Sequence, residues 1–195
     1  MVQGIPGGQM TAWRKAPAGY TLWFSQYPGY HDYTLSDHPE RQDFWNDPQT
    51  NSQAANGYAG KPGQAHWAFE YANPSLSLPS ILVGYSAGAD AAVLHAELRQ
   101  NSGLPIEALV LLDPAFDSYD LNGTYLDSAG YKQKLAGLGV RVLIVDTQSL
   151  WAGWSSSNIK YCPIQGKKHD NVDDDPILVD EVYTWVSTGQ IECNR

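Results

Sequence analysis

Four short apolar runs stand out from an otherwise mixed chain: Tyr20 to Phe24, Ile81 to Gly84, Ala108 to Leu112 and Val140 to Val145. The last three are almost continuously apolar, the pattern of strands buried on both faces of a sheet. Arg141 is the one polar interruption, near a strand start from which it can reach solvent. Helical spacing fills much of the rest. Ala65 to Ala72 groups Trp67, Phe69 and Tyr71 before Pro74 stops the run. Ala87 to Gln100 sets Ala91, Leu94 and Leu98 on one stripe, and Tyr131 to Ala136 forms a shorter helix ended by Gly137. The last helix opens at Asp175-Pro176, a cap followed by proline in the first turn, puts Leu178, Val182 and Trp185 on one face, and stops at Gly189. Strands alternating with helices predict an α/β fold, a mostly parallel sheet flanked by helices. The 195 residues suit one domain with a full core.

One stretch breaks this rhythm. From His31 to Gln64 the chain is polar and rich in Asp, Asn, Gln, Pro and Gly, with scattered aromatics. It reads as a surface excursion with one short helix near Arg41 to Trp45, either an elaborated connection or a lid. A net charge of −9 disfavours a nucleic-acid partner, which wants a basic face. No apolar run approaches the roughly 20 residues a membrane span needs. The opening residues Met1 to Ile5 lack the charged and apolar regions of a signal peptide, so the compartment stays open, secretion included. Cys162 and Cys193 are the two cysteines; they are compatible with a disulfide or with two free thiols, and show no metal spacing.

The chemistry starts at Gly84-Tyr85-Ser86-Ala87-Gly88, which joins the run Ile81 to Val83 to the helix beginning at Ala87. Strand, G-x-S-x-G, helix is the setting of a nucleophile elbow. A serine on so sharp a turn pushes its hydroxyl out of the sheet, and only small neighbours let strand and helix close on each other. Gly84, Ala87 and Gly88 are those neighbours. A serine needs a base in reach, and the base needs an orienting carboxylate. Of five histidines, His31, His38 and His66 precede the serine, and His95 lies inside the following helix. His169, in a polar loop before the last helix, is the candidate base. Two aspartates end strands at the carboxyl edge, where open α/β sheets keep their sites: Asp113 and Asp146. Either can be the acid, with Asp117 and Asp170 as lesser candidates. The oxyanion donors expected are the backbone N–H of Ala87 and that of Ile5, in the loop Gly4 to Gly8. Tyr85, Trp151 and Trp154 are candidate substrate contacts, the two tryptophans because they follow the strand ending at Val145 and suit an acyl or aryl group.

Together these residues resemble the α/β-hydrolase superfamily. Gln3 to Gly8, Trp13, Ala18 to Leu22 and Tyr27 to Tyr30 look like its oxyanion loop, first helix and next strand, although members often have His where this chain has Gln3. The size is similar to that of small lipases and cutinases, and the chain leaves no room for two strands that normally come first, so it looks like a minimal core or a domain of a longer chain. Leu112-Asp113-Pro114-Ala115 resembles the acid-bearing turn of pancreatic-type lipases, which puts Asp113 ahead of Asp146. His169-Asp170-Asn171-Val172 is similar to the family's histidine loop. The resemblance implies a serine esterase or lipase with a catalytic triad, acting on a small-molecule ester or lipid and needing no metal or organic cofactor. A thioesterase with the same triad, and a non-catalytic binding protein on a hydrolase fold, are the alternatives.

Overall fold

The computed structural model describes residues 2–3, 25–26, 80–101, 103–114, 118–119 and 125–193. The run Tyr20 to Phe24, the helix Ala65 to Ala72, the polar stretch His31 to Gln64 and Ile5 lie outside them. Six strands form one sheet in the order β2-β1-β3-β4-β7-β8, every neighbouring pair parallel. The strands are β1 (Val2–Gln3), β2 (Ser25–Gln26), β3 (Ser80–Tyr85), β4 (Ile106–Leu112), β7 (Arg141–Asp146) and β8 (Ile159–Pro163). A small antiparallel pair, β5 (Ser118–Tyr119) and β6 (Tyr125–Leu126), stands apart from it. Among the described residues the α-helices are α1 (Ala87–Asn101), α2 (Ser128–Gly137) and α3 (Pro176–Thr188).

The period of two along each strand sorts the core into two layers. Val83, Tyr85, Val110, Leu112, Leu143 and Val145 face one way and meet Leu178, Val179, Val182, Trp185 and Val186 of α3. Leu82, Leu109, Leu111, Val142 and Ile144 face the other way and meet Ala89, Ala92, Val93 and Ala96 of α1 with Tyr131 and Leu135 of α2. Helices on both faces are what an all-parallel sheet requires, because neither face can meet water. The expected stripe Ala91, Leu94 and Leu98 involves side chains outside those described.

Local signals set the helix ends. The carboxylate of Asp127 accepts the Gly130 N–H, so α2 starts three residues earlier than the apolar spacing from Tyr131 suggests. Asp175 caps α3 by accepting from the Ile177 N–H, and Gly189, at φ 77°, closes it with its N–H on the Trp185 carbonyl. Each of the five buried α3 side chains contributes about 1.5–3 kcal/mol by leaving water. The cap contributes about 1 kcal/mol. Packing therefore holds α3, and the cap decides where it begins.

β8 was not expected from the sequence. Its Ile-Lys-Tyr-Cys-Pro mixes polar and apolar residues because it is an edge strand, with only Cys162 buried. Cys162 and Cys193 are free thiols, Cys193 packed against the core layer that holds Cys162. Among the described residues no helix is long and apolar enough to cross a membrane.

Candidate active site

The register of the sheet lines up the ends of its strands. Tyr85 stands opposite Leu112, Leu112 opposite Val145, and Val145 opposite Cys162. The residues one step beyond, Ser86, Asp113 and Asp146, form a row at the carboxyl edge. The row is tied laterally: the Ser86 N–H donates to the Leu112 carbonyl at 2.9 Å and the Asp113 N–H to the Val145 carbonyl at 2.7 Å. β1 and β3, neighbours whose connections leave in opposite directions along the sheet, bracket the switch point where open α/β sheets hold ligands. Ser86 follows β3 directly.

Ser86 has φ 52°, a left-handed conformation that costs a non-glycine residue roughly 1–2 kcal/mol. Its carbonyl accepts the first helical N–H, that of Ala89, at 2.9 Å. The strand is thus turned into α1 within one residue, and the hydroxyl leaves the sheet edge. The chain returns from β8 through residues 164–168 into a single 3-10 turn, His169–Asn171. There His169 Nε2 stands 2.9 Å from Ser86 Oγ, and His169 Nδ1 stands 3.2 Å from Asp113 Oδ2. The Asp113 side chain is fully buried and that of His169 is 29% exposed. In the tautomer that serves both contacts, Nδ1–H donates to Asp113 and Nε2 accepts the serine proton. The Gln148 side-chain amide nitrogen lies 3.4 Å from Nδ1 as well; with Nδ1 protonated both atoms are donors, so this pair makes no hydrogen bond in that tautomer.

The two candidate aspartates differ in their partners. The Asp146 carboxylate accepts the backbone N–H groups of Gln148 and Trp151, both at 2.8 Å, and the Tyr161 hydroxyl at 3.2 Å. It folds back on its own turn. Asp113 instead has φ 44°, which swings its side chain off the strand and toward His169. Its carboxylate also receives two short hydrogen bonds from one residue, the N–H and the hydroxyl of Thr147. Tyr161, half-buried beside Asp146, has its phenol pushed up to about 12, by burial first and then by that carboxylate's charge and hydrogen bond.

Two of the three aromatic candidates are buried. Tyr85 is fully buried in the α3-side layer; its hydroxyl donates to the His169 carbonyl at 2.7 Å and its ring lies 5.1 Å from the imidazole. Strand parity sends it inward. Trp151 is fully buried too, edge-on to Tyr131 at 5.6 Å, its indole N–H 3.5 Å from the Pro114 carbonyl. Both side chains are buried, where the sequence reading expected substrate contacts. Trp154 is partly exposed, 5.5 Å from Trp151, with the Lys132 ammonium 5.7 Å from each ring. Ala87 is the first residue of α1, so its N–H is one of the four that a helix start leaves without a partner in the helix. Ile5 falls outside the described residues. Asp117 and the side chain of Asp170 do so as well.

Thr147 and Gln148 were missed by sequence reasoning. The available signal was register: Leu112 beside Val145 places Asp113 next to the two residues that follow β7's end. Among the described residues no group of three or more His, Cys, Asp or Glu side chains is arranged to hold a metal ion.

No protein-family model and no curated protein matches the chain. Among solved structures it is similar to the NocB thioesterase domain from the nocardicin cluster, at 18% identity and a TM-score of 0.44 over 72% of this chain and 79% of that one. It is also similar to that domain in covalent complex with a fluorophosphonate nocardicin G analog, at 19% identity and a TM-score of 0.38 over 61% of this chain and 69% of that one. Likeness of this extent leaves the reading of the chain to its own sheet order and side chains.

Proposed function

We propose that this chain is a serine hydrolase that cleaves carboxylic esters through an acyl-enzyme. The observation that carries the reading is the unbroken line Ser86 Oγ, His169, Asp113, with spacings of 2.9 and 3.2 Å. Ser86 Oγ attacks the ester carbonyl while His169 Nε2 takes its proton. The tetrahedral intermediate collapses, the C–O bond to the alcohol breaks, and the imidazolium returns the proton to the leaving oxygen. Water then repeats the sequence on the acyl-enzyme and releases the acid. Asp113 holds the tautomer and stabilises the imidazolium. The N–H groups of Ala87 and Ile5 are the proposed oxyanion donors; the start of α1 carries partial positive charge, which favours the oxyanion there.

Trp154 and the exposed Leu150 on the turn after β7 supply apolar surface for the acyl or alcohol part of a small-molecule ester or lipid. The same three groups open a thioester, because the acyl-enzyme is common to both and only the leaving atom differs.

A fluorophosphonate probe and a series of p-nitrophenyl esters of increasing chain length, run beside the matching thioesters, test the reading. Wild-type protein is expected to be labelled on Ser86 and to release p-nitrophenol; Ser86→Ala is expected to do neither. Folded wild-type protein that is neither labelled nor active would point to a binding protein on a hydrolase fold. A preference for thioesters across the series would move the assignment to thioesterase.

A further inference from the structure

We infer that Thr147 is a positioning residue that holds the Asp113 carboxylate in its working orientation through both oxygens at once. This rests on the serine-hydrolase reading of Ser86, His169 and Asp113.

A carboxylate turns easily about its Cβ–Cγ bond. The contact from His169 reaches Oδ2 alone, at 3.2 Å, and a single bond of that length leaves the plane of the group free to rock. Thr147 removes that freedom. Its backbone N–H donates to Oδ1 and its hydroxyl to Oδ2, so one residue grips the two ends of the carboxylate like a fork. The Asp113 side chain is fully buried, so water is no substitute for either donor. Oδ2 keeps a lone pair for the Nδ1–H of His169, and the fork aims that lone pair.

Thr147 is itself presented by Asp146. The Asp146 carboxylate accepts the N–H groups of Gln148 and Trp151 and curls the chain after β7 into a tight turn, with Ser149 left-handed at φ 60°. Thr147 is the first residue of that turn and faces Asp113 across the sheet edge. The two strand-ending aspartates therefore divide the work. One organises the turn, the turn carries the threonine, and the threonine sets the other aspartate.

The hydroxyl is the part that can be removed without touching the backbone donor. Thr147→Val keeps the shape and loses the bond to Oδ2; Thr147→Ala does so without a branched side chain, in case valine disturbs folding; Thr147→Ser keeps the hydroxyl. Hydrolysis of p-nitrophenyl butyrate is measured per folded molecule for each, with Asp113 intact and in an Asp113→Asn background. With Asp113 intact, the hydroxyl-less variants are expected to lose roughly ten- to a hundredfold in kcat, the range for a hydrogen bond to a charged group. KM stays within about twofold, because ground-state binding is untouched, and Thr147→Ser stays near wild type. In the Asp113→Asn background the same changes should add nothing, because a residue that acts through Asp113 has nothing left to orient. Wild-type kcat in Thr147→Val and Thr147→Ala, or an equal loss in both backgrounds, overturns the assignment. Equal turnover by wild type and Ser86→Ala would instead remove the hydrolase reading beneath it.

Discussion

Replacing Asp113 by asparagine is the sharpest perturbation available, because it alters one atom of a carboxylate that accepts from both Thr147 donors and from His169. The backbone is not at risk: φ at this position is 44°, a region in which Asn is as comfortable as Asp. The volume is unchanged. What changes is polarity at one of two oxygens. Thr147 presents two donors, one to each oxygen, and His169 Nδ1–H presents a third, to Oδ2. A carboxylate can satisfy all three. A carboxamide offers one acceptor, and its NH2 must face a group that accepts. The Thr147 N–H cannot accept, so the carboxamide oxygen stays there and the NH2 turns to Thr147 Oγ1 and His169 Nδ1. Nδ1 can accept that N–H only by giving up its own proton. The imidazole then carries its proton on Nε2, facing Ser86 Oγ 2.9 Å away, and can no longer act as the base.

An enzyme locked in the wrong tautomer loses about four orders of magnitude in kcat, or about 5 kcal/mol of transition-state stabilisation. Asp146→Asn makes the contrast. There the three donors are the N–H groups of Gln148 and Trp151 and the Tyr161 hydroxyl, and the last can rotate to donate elsewhere. That variant is expected to lose about 1.5–3 kcal/mol of stability with one charge-assisted bond, and about tenfold or less in kcat through the displaced turn. Turnover of p-nitrophenyl butyrate, with thermal melts to show that both variants fold, reads the two together. If Asp146→Asn is the variant that loses four orders of magnitude while Asp113→Asn turns over normally, the reasoning from these partners is wrong.

Two further outcomes follow from groups beneath the site. Tyr85→Phe keeps the buried ring and removes the 2.7 Å bond to the His169 carbonyl. It is expected to lower Tm by about 2–4 °C, for about 1 kcal/mol, and to reduce kcat severalfold; an unchanged melt would show that the phenol does not anchor the histidine loop. Tyr161 should ionise only near pH 12, raised from 10.0 by burial and by Asp146. A raised acid favours its neutral form, so its contribution to stability is complete below pH 10 and is lost as pH climbs toward 12. The difference in alkaline absorbance titration between wild type and Tyr161→Phe measures this; a difference between the two already complete near pH 10 would refute it.

The elements that could be read from the chain are those whose signals are local. Strand β3, the turn at Ser86 and helix α1 announce themselves within 22 consecutive residues, and α3 carries its start at Asp175-Pro176 and its stop at Gly189. The aspartate pair was legible only as a pair. Asp113 and Asp146 end adjacent strands in the same register, and nothing in either tripeptide says that one backbone turns left-handed toward the histidine while the other carboxylate folds onto its own turn. Thr147 was hidden for the same reason, since it matters through a partner 34 residues away. Tyr85 and Trp151 were read as substrate contacts from their nearness to the site. For Tyr85, strand parity was the better guide, because it shares its face with Val83 and Leu112. β8 was invisible because an edge strand need not be apolar.

Positive φ marks the candidate site more economically than any motif. Among the described non-glycine residues, only Ser86, Asp113 and Ser149 have it, at 52°, 44° and 60°. All three lie at the carboxyl edge, directly after β3, directly after β4, and three residues beyond β7. Each costs of order 1–3 kcal/mol, so their clustering needs a compensating cause. The cause is geometric. A residue that continued the strand would send its side chain to one face or the other, into a packed layer. A left-handed residue at the strand's end leaves the alternation and points along the strand axis, out of the sheet. Two such residues on adjacent strands, joined by the Ser86 N–H to Leu112 and the Asp113 N–H to Val145, deliver a hydroxyl and a carboxylate to the same edge. One imidazole then spans them, 2.9 Å from the first and 3.2 Å from the second. The core layers on both faces supply the stability that lets the edge stay strained.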